Sequence, residues 1–399
     1  MSDTPASSPQ GVTFINADIG AERSLRIVGS RIASVGGDPQ RGDVVIDLEG
    51  DRLLPGLINA HDHLHLNNFG RLKYRERYAN VRGWIEDVSA HVQTNVTLRA
   101  AADRARDQRL LQGALKNVLC GVTTVAHHDR MYEYLLGDRC PVPVVKHYGW
   151  SHSLNIDGDE QVCRAYRQTP VSWPWIIHAA EGLDEDAASE FERLEALGCI
   201  GTNTLLVHGI ALDRSQQARL VKAGAGVIWC PASNLHVFGT TADVGELARH
   251  GRLALGTDSR LSGSRDLLSE LAIARDVGGF DEDTLESLVT DSAARMLRLE
   301  DRGVLRAGAS ADLLVIPQMP LSRADRTDVR LVMAQGRMLY ADAHYAQAIA
   351  SGDSSAQPWI PITVDDCPKA FDREIALQLE QSDVQEPGLD VGRPTWRAA

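Results

Sequence analysis

Two imidazoles stand two positions apart in His61-Asp62-His63. In a β-strand, residues i and i+2 point to the same face, so this spacing aims both rings at one point. Neutral imidazole is the commonest protein ligand for zinc-like ions, although a lone H-x-H pair is weak support for a metal. His65 continues the alternation where a strand would end, and a loop histidine is the plainer reading there. Other ligand-competent side chains close apolar runs further along. His178 closes Trp175-Ile-Ile, His208 closes Thr204-Leu-Leu-Val, and Asp258 follows Leu253-Ala-Leu-Gly-Thr. Any one of these reads equally well as a hydrogen-bonded histidine or a helix N-cap aspartate. Taken together, they make a shared site the better reading. Glu181 comes three residues after His178, off the strand face and on the loop above it. A carboxylate there can take up and return a proton; alone, it would read as a solvated loop residue.

Such side chains need elements that end at a common face. From Leu53 to Leu299, short apolar runs alternate with segments of helical period. The runs begin at Leu53, Val122, Val142, Trp175, Thr204, Gly226 and Leu253. Helix candidates span Arg99 to Leu119, Asp184 to Leu197, Ser215 to Ala223 and Arg265 to Val277. Continuously apolar strands alternating with helices predict a parallel sheet covered by helices, and repetition over about 250 residues predicts a TIM-like (β/α) barrel. In that architecture the C-terminal strand ends carry the active site. Seven runs are one short of a full barrel, and the stretch from Tyr148 to Trp175 is where a strand would be degenerate or absent.

The flanking segments differ. Residues 12–54 and 301–345 hold short strands bounded by Gly and Asp. They are expected to pair into one small β-sandwich domain built from both chain ends, with the barrel, residues 55–300, inserted between them. Residues 346–399 read as a C-terminal extension with a helix near Ala370 to Glu380 and a Pro-containing end. Residues 1–10, small, polar and Pro-containing, have the composition of a disordered segment.

Pro55-Gly-Leu-Ile-Asn-Ala-His-Asp-His63 resembles the opening motif of the amidohydrolase superfamily. His178-Ala-Ala-Glu181 resembles the H-x-x-E motif of its mononuclear deaminase branch, which includes cytosine deaminase, guanine deaminase and the triazine hydrolases. Trp229-Cys-Pro-Ala-Ser-Asn234 and Gly256-Thr-Asp-Ser259 resemble two further strand ends of that branch, and Ala307-Gly-Ala-Ser-Ala-Asp-Leu-Leu-Val resembles its return into the small β domain. The resemblance implies one divalent transition metal, zinc by default with iron as the alternative, bound by His61, His63, His178 and Asp258. It implies Glu181 as proton shuttle, His208 as the group that orients the nucleophile and polarises the substrate, and Asp258 as base as well as ligand. The implied reaction is hydrolytic deamination of a nitrogen heterocycle or cyclic amidine by water activated at the metal. Ring opening, or loss of a leaving group other than ammonia, is the alternative within the same chemistry. A non-catalytic interaction protein on the same scaffold is disfavoured because the ligands and the shuttle are all present.

Substrate contacts are expected from His128, which follows an apolar run, from Trp84 and Trp150 as flat walls, from Asn234, and from Arg260 toward an anionic group; His127 and His152 stand at similar places. Each aromatic is as readily core or rim. Lys146 ends Val142-Pro-Val-Val, where binuclear amidohydrolases carry a metal-bridging carbamylated lysine, but the H-x-x-E motif favours one metal and a solvated Lys146.

Of the 399 residues, 43% are hydrophobic and 24% charged, ordinary for a globular enzyme. A formal net charge of -13 disfavours nucleic acid and anionic membrane as partners. The expected partner is a small-molecule substrate, with assembly into a homo-oligomer left open. The six cysteines form no C-x-x-C pair, which fits free thiols in a reducing compartment. With neither a secretory signal pattern nor a long apolar run, the expected location is cytoplasmic.

Overall fold

The computed structural model describes residues 11–352 and 359–391. The expectation for residues 1–10, and for the end of the chain past residue 391, lies outside the described residues. Five strands precede the segment that opens on His61 and His63: β1 (Val12–Ile15), β2 (Leu25–Val28), β3 (Arg31–Val35), β4 (Val44–Asp47) and β5 (Arg52–Pro55). Seven follow: β6 (Leu57–Asp62), β7 (Val122–His127), β8 (Gly149–Ser153), β9 (Trp175–Ala179), β10 (Thr204–His208), β11 (Gly226–Trp229) and β12 (Leu253–Leu255). The chain then forms β13 (Leu313–Ile316), β14 (Leu331–Ala334), β15 (Arg337–Asp342), β16 (Trp359–Val364), β17 (Cys367–Asp372) and β18 (Leu389–Asp390).

Strands β8 to β12 form a parallel sheet in the order β12-β11-β10-β9-β8, and β6 pairs in parallel with β7. Bridges extend both edges: Asp62 meets Asp258 past the end of β12, and Val125 of β7 meets Val144. Every residue of β6, β7, β9, β10, β11 and β12 is buried. This is why they read as unbroken apolar runs, since helices cover one face and packed side chains the other. The strand missing from the Tyr148–Trp175 stretch is β8. Its sequence, Gly-Trp-Ser-His-Ser, is only partly buried because it borders an open cavity, so it carries no apolar signature.

The antiparallel part joins distant segments. Leu54 of β5 pairs with Leu314 of β13. On β13, Leu313 and Val315 pack with Phe14, Ile27 and Ile46, while Leu314 and Ile316 pack into the larger core with Leu57 and Val122. Period-2 alternation thus fastens one strand to two cores. Residues beyond 345 do not stand apart, because β16, β17 and β18 continue the sheet past β15. The helix expected near Ala370 starts at Arg373, with Asp372 accepting from the Glu374 N–H, because the preceding residues are spent on β17.

Helices Glu185–Ala196, Arg214–Ala223 and Leu267–Gly278 open on Asp184, Asp213 and Asp266, each accepting a backbone N–H of the first turn. The helix expected from Arg99 to Leu119 is two, Val96–Asp103 and Arg106–Val118, because Arg104 and Ala105 hold extended ψ values of 142° and 135°. No helix among the described residues is long and apolar enough to cross a membrane.

Candidate active site

Strand β6 delivers His61 and, one residue past its end, His63. β9 delivers His178 and β10 delivers His208. Asp258 follows β12 after a turn that lets the chain approach β6, and a Cβ on Gly256 would lie 2.7 Å from His61 Cβ. Glycine is therefore required there for the aspartate to reach the histidines.

His63 Nε2 and His178 Nε2 are 3.2 Å apart. Asp258 Oδ1 lies 3.7 Å from His61 Nε2 and 3.6 Å from His63 Nε2. Ligands about 2.0–2.1 Å from a tetrahedral ion lie about 3.3–3.4 Å from one another, so these spacings suit a shared cation. Both ring nitrogens of His61 are buried with no hydrogen-bond partner, a costly arrangement unless an ion completes it. His178 Nδ1 contacts the His152 carbonyl at 2.8 Å; only an N–H can donate there, so Nε2 carries the lone pair. His128 is drawn into the same cluster. Its Nε2–H donates to the Ser151 carbonyl at 2.9 Å, and its ligand atom lies within 4.8 Å of those of His61, His63 and His178. Burial pushes His61 down to about 4, and His128 and His178 well below the usual range. Neutral rings are the form that binds a metal. The residues present therefore fit a divalent ion.

Beside this cluster, His208 Nε2 faces Glu181 Oε1 at 3.4 Å. His208 Nδ1 donates to Asn234 Oδ1 at 2.8 Å. Asp258 Oδ2 accepts from the hydroxyls of Ser233 at 2.8 Å and Ser262 at 2.7 Å, which leaves Oδ1 toward the imidazoles. Burial, then the charges of Asp258 and Glu190, push the Glu181 carboxyl well above the usual range, so it holds a proton readily. Ala180, His208 and Asp258 all have left-handed backbone, with φ of 54°, 75° and 53°. Three of the nine non-glycine residues with positive φ among the described residues thus sit at these strand ends.

A cavity of about 470 Å³ opens over these groups, walled by Trp84, Trp150, Ile85, Val88 and Leu261. The expected contacts Trp84, Trp150 and His128 all line this cavity, and His152 borders the same space. Two expected substrate contacts do not. Asn234 has no exposed surface and is spent on His208 and on Thr241. Arg260 turns away to form a buried pair with Glu386 at 2.8 and 2.5 Å, since a carboxylate buried from the C-terminal segment needs a cation. Lys146 is exposed and lines a different cavity, and the strand before His178 is β8 rather than the run ending at Lys146.

The amidohydrolase family profile matches residues 175–339. A 5-methylthioadenosine/S-adenosylhomocysteine deaminase of Haloarcula marismortui is 31% identical over 328 residues, covering 69% of this chain and 75% of that protein. The chain belongs to the amidohydrolase family. The deaminase of the same name from Halobacterium salinarum is 24% identical over 332 residues, covering 70% of this amidohydrolase and 76% of the relative. Among solved structures, an adenosine deaminase from Xanthomonas campestris with bound zinc superposes with a TM-score of 0.66 at 18% identity, covering 86% of this chain and 97% of that one. Atrazine chlorohydrolase from Arthrobacter aurescens, complexed with zinc, superposes with a TM-score of 0.65 at 18% identity, covering 86% and 98%.

Several residues of the amidohydrolase site carry no clear signal in the sequence. Glu190 accepts the strained Ala180 N–H at 2.7 Å and so fixes the turn between His178 and Glu181. It lies on helix Glu185–Ala196 among other acidic residues, and nothing in its spacing sets it apart. Ser233 lies within the Cys-Pro-Ala-Ser-Asn motif and could have been singled out there, whereas Ser262 lies in a polar loop and could not.

Proposed function

We propose that this amidohydrolase removes an exocyclic amino group, as ammonia, from a nitrogen heterocycle of purine type. The reaction would take place at one divalent ion held by His61, His63, His178 and Asp258. The observation that carries the reading is the meeting of these groups beside the facing pair Glu181 and His208, 3.4 Å apart, under a cavity with two tryptophan walls. Three imidazoles and one carboxylate suit zinc and also accommodate iron. When bound, the ion supplies the Lewis acidity that makes water nucleophilic near neutral pH.

The chain's own groups do the rest. His208, with Nδ1–H fixed by Asn234, turns Nε2 to the reacting side and orients the incoming oxygen. Asp258, its Oδ2 anchored by two serine hydroxyls, keeps Oδ1 free to ligate and to take a proton. Glu181 holds a proton in its buried position and hands it to the departing nitrogen, which must leave as neutral ammonia. The names of the sequence relatives support an adenine-like ring, and Trp84 and Trp150 offer flat faces to one.

The surrounding architecture is read with the site. Bridges from Asp62 to Asp258 and from Val125 to Val144 support a closed (β/α) barrel over residues 55–300 with β8 as its fourth strand. The pairing of β5 with β13 supports one β domain drawn from residues 12–54 and from the C-terminal part of the chain. The test of function is ammonia release across adenine nucleosides, free purines, pyrimidines and triazines, with metal content measured on wild type and His61→Ala. Wild type is expected to carry one ion and to release ammonia from a purine-type substrate. Displacement of a halide or alkylamine without ammonia would move the reading to the triazine-hydrolase side.

A further inference from the structure

We propose a second, weaker site for a divalent transition ion on the wall of the catalytic cavity, held by His65, His127 and Asp129. These three offer ligand atoms within 4.8 Å of one another. His65 Nδ1 and Asp129 Oδ2 are 3.5 Å apart, long for a hydrogen bond but close to the edge of about 3.3–3.4 Å expected between ligands of a tetrahedral ion. His65 Nδ1 and His127 Nε2 are both buried with no hydrogen-bond partner. His127 has no exposed surface at all, so water does not satisfy its ring.

The tautomer of His127 bears on this. Its Nδ1 accepts from the Leu64 N–H at 3.3 Å, which leaves Nε2 as a buried N–H without an acceptor. To ligate through Nε2 the ring must carry its proton on Nδ1, which frees the Nε2 lone pair for an ion but sets two N–H groups against each other where the Leu64 contact was, a cost that weakens the site. Asp129 Oδ1 accepts from the Arg130 N–H at 2.6 Å, and Oδ2 accepts from the Tyr132 hydroxyl at 3.3 Å. Oδ2 has a second lone pair to offer. His65 and Asp129 line the cavity, so water reaches the ion as its remaining ligand, the arrangement of an open site.

The charges around the cluster make it the weaker of two. Arg106 and Arg130 stand over the Tyr132 ring at 4.7 and 4.8 Å, and the Arg109 guanidinium is close enough to His65 to oppose positive charge there. The His63 and His65 rings lie 6.3 Å apart, so an ion at the catalytic cluster adds further repulsion. The catalytic cluster therefore fills first. An ion bound second would lie beside the path of the substrate and slow turnover, so excess zinc is expected to inhibit.

Calorimetric titration of the protein, loaded first with one equivalent of zinc, tests this, with metal content read after gel filtration. Wild type should take up a second zinc ion at least ten-fold more weakly than the first. His65→Gln and Asp129→Asn should each lose the second event and keep the first, whereas His61→Ala should weaken the first and keep the second. A wild type that saturates at one ion overturns the proposal, as does a second ion that persists in the His65→Gln/Asp129→Asn double variant. Circular dichroism of each variant separates loss of a ligand from loss of the fold.

Discussion

Lys116 and Asp62 form an ion pair with no exposed surface, Nζ to Oδ2 at 3.1 Å, and Asp62 stands in the chain between His61 and His63. Lys116 also donates to Asn67 Oδ1 and Thr257 Oγ1, each at 2.9 Å. Asp62 further accepts from Asn117 Nδ2 at 2.9 Å and Asn67 Nδ2 at 2.8 Å. The network ties β6 to the helix Arg106–Val118 and to the turn that carries Asp258. Because Asp62 lies between His61 and His63 in the chain, fixing its side chain on one side of the strand fixes the two imidazoles on the other.

Replacing Lys116 with Met should therefore cost far more than a surface lysine would. It keeps the length of the side chain but leaves Asp62 as an uncompensated buried charge, a loss of about 3–5 kcal/mol. Chemical unfolding of the metal-free protein measures this directly. A Lys116→Met variant within about 0.5 kcal/mol of wild type, the range of ordinary surface changes, would show that the pair does not hold the strand.

Asn234 is read as a positioning residue acting through His208. Asn234→Leu keeps the volume and removes the acceptor for the His208 Nδ1–H, so the ring is free to change tautomer and to rotate. Partners of this kind commonly carry about 10–100-fold in activity or metal affinity. The expectation is a kcat lower by about 10–100-fold with KM and metal content near wild type, since Asn234 touches neither cavity nor ligand. A change in KM alone would return Asn234 to the substrate pocket.

Glu270 gives a pH signature independent of the metal. Burial pushes its carboxyl up to about 7, against hydrogen bonds from Ser264 and the Ala232 N–H that favour the charged form. A raised carboxyl stabilises the fold while protonated. The contribution is complete below the ordinary glutamate range near 4.5 and is lost as pH rises through about 7. Glu270→Gln cannot titrate, so wild type should lose stability relative to this variant between pH 4.5 and 7. Parallel stability profiles for the two proteins across that range would refute the assignment.

What could be read in the chain follows from how local the determinants are. His61 and His63 needed only the two-residue period of a strand, and His178, His208 and Asp258 only the habit of apolar runs to end at one face. β8 was not legible because its residues border the cavity and so lack the apolar run that marked its neighbours. Arg260 and Asn234 were legible as polar groups near the site, but not in their direction. The Arg260 partner, Glu386, is 126 residues away, and the Asn234 partner, His208, ends strand β10 while Asn234 itself lies in the helix Pro231–Phe238. Lys116 reads as an ordinary helix lysine, since nothing local indicates that its position is buried over Asp62. The His65–His127–Asp129 cluster was equally hidden, because it joins the end of β6 to the end of β7 and depends on their register.

The last prediction concerns Glu181. It faces His208 at 3.4 Å, whereas the carboxylate that approaches His61 and His63 is that of Asp258, at 3.7 and 3.6 Å. Glu181→Gln keeps the size and one acceptor but cannot carry a proton. Metal content and thermal stability should therefore stay near wild type, and substrate should still bind, because the cavity wall is unchanged. Turnover should fall by about 100-fold or more, the scale of a positioned acid–base group. The pH profile adds a second check. Burial and the charges of Asp258 and Glu190 hold the Glu181 carboxyl protonated well above the usual range, so the limb of the wild-type kcat profile that reports its proton should be absent from the variant. A Glu181→Gln enzyme that turns over at a near wild-type rate would remove Glu181 from the mechanism. Loss of metal in that variant would instead make it a ligand, and Asp258 would then be the remaining candidate for the proton transfer.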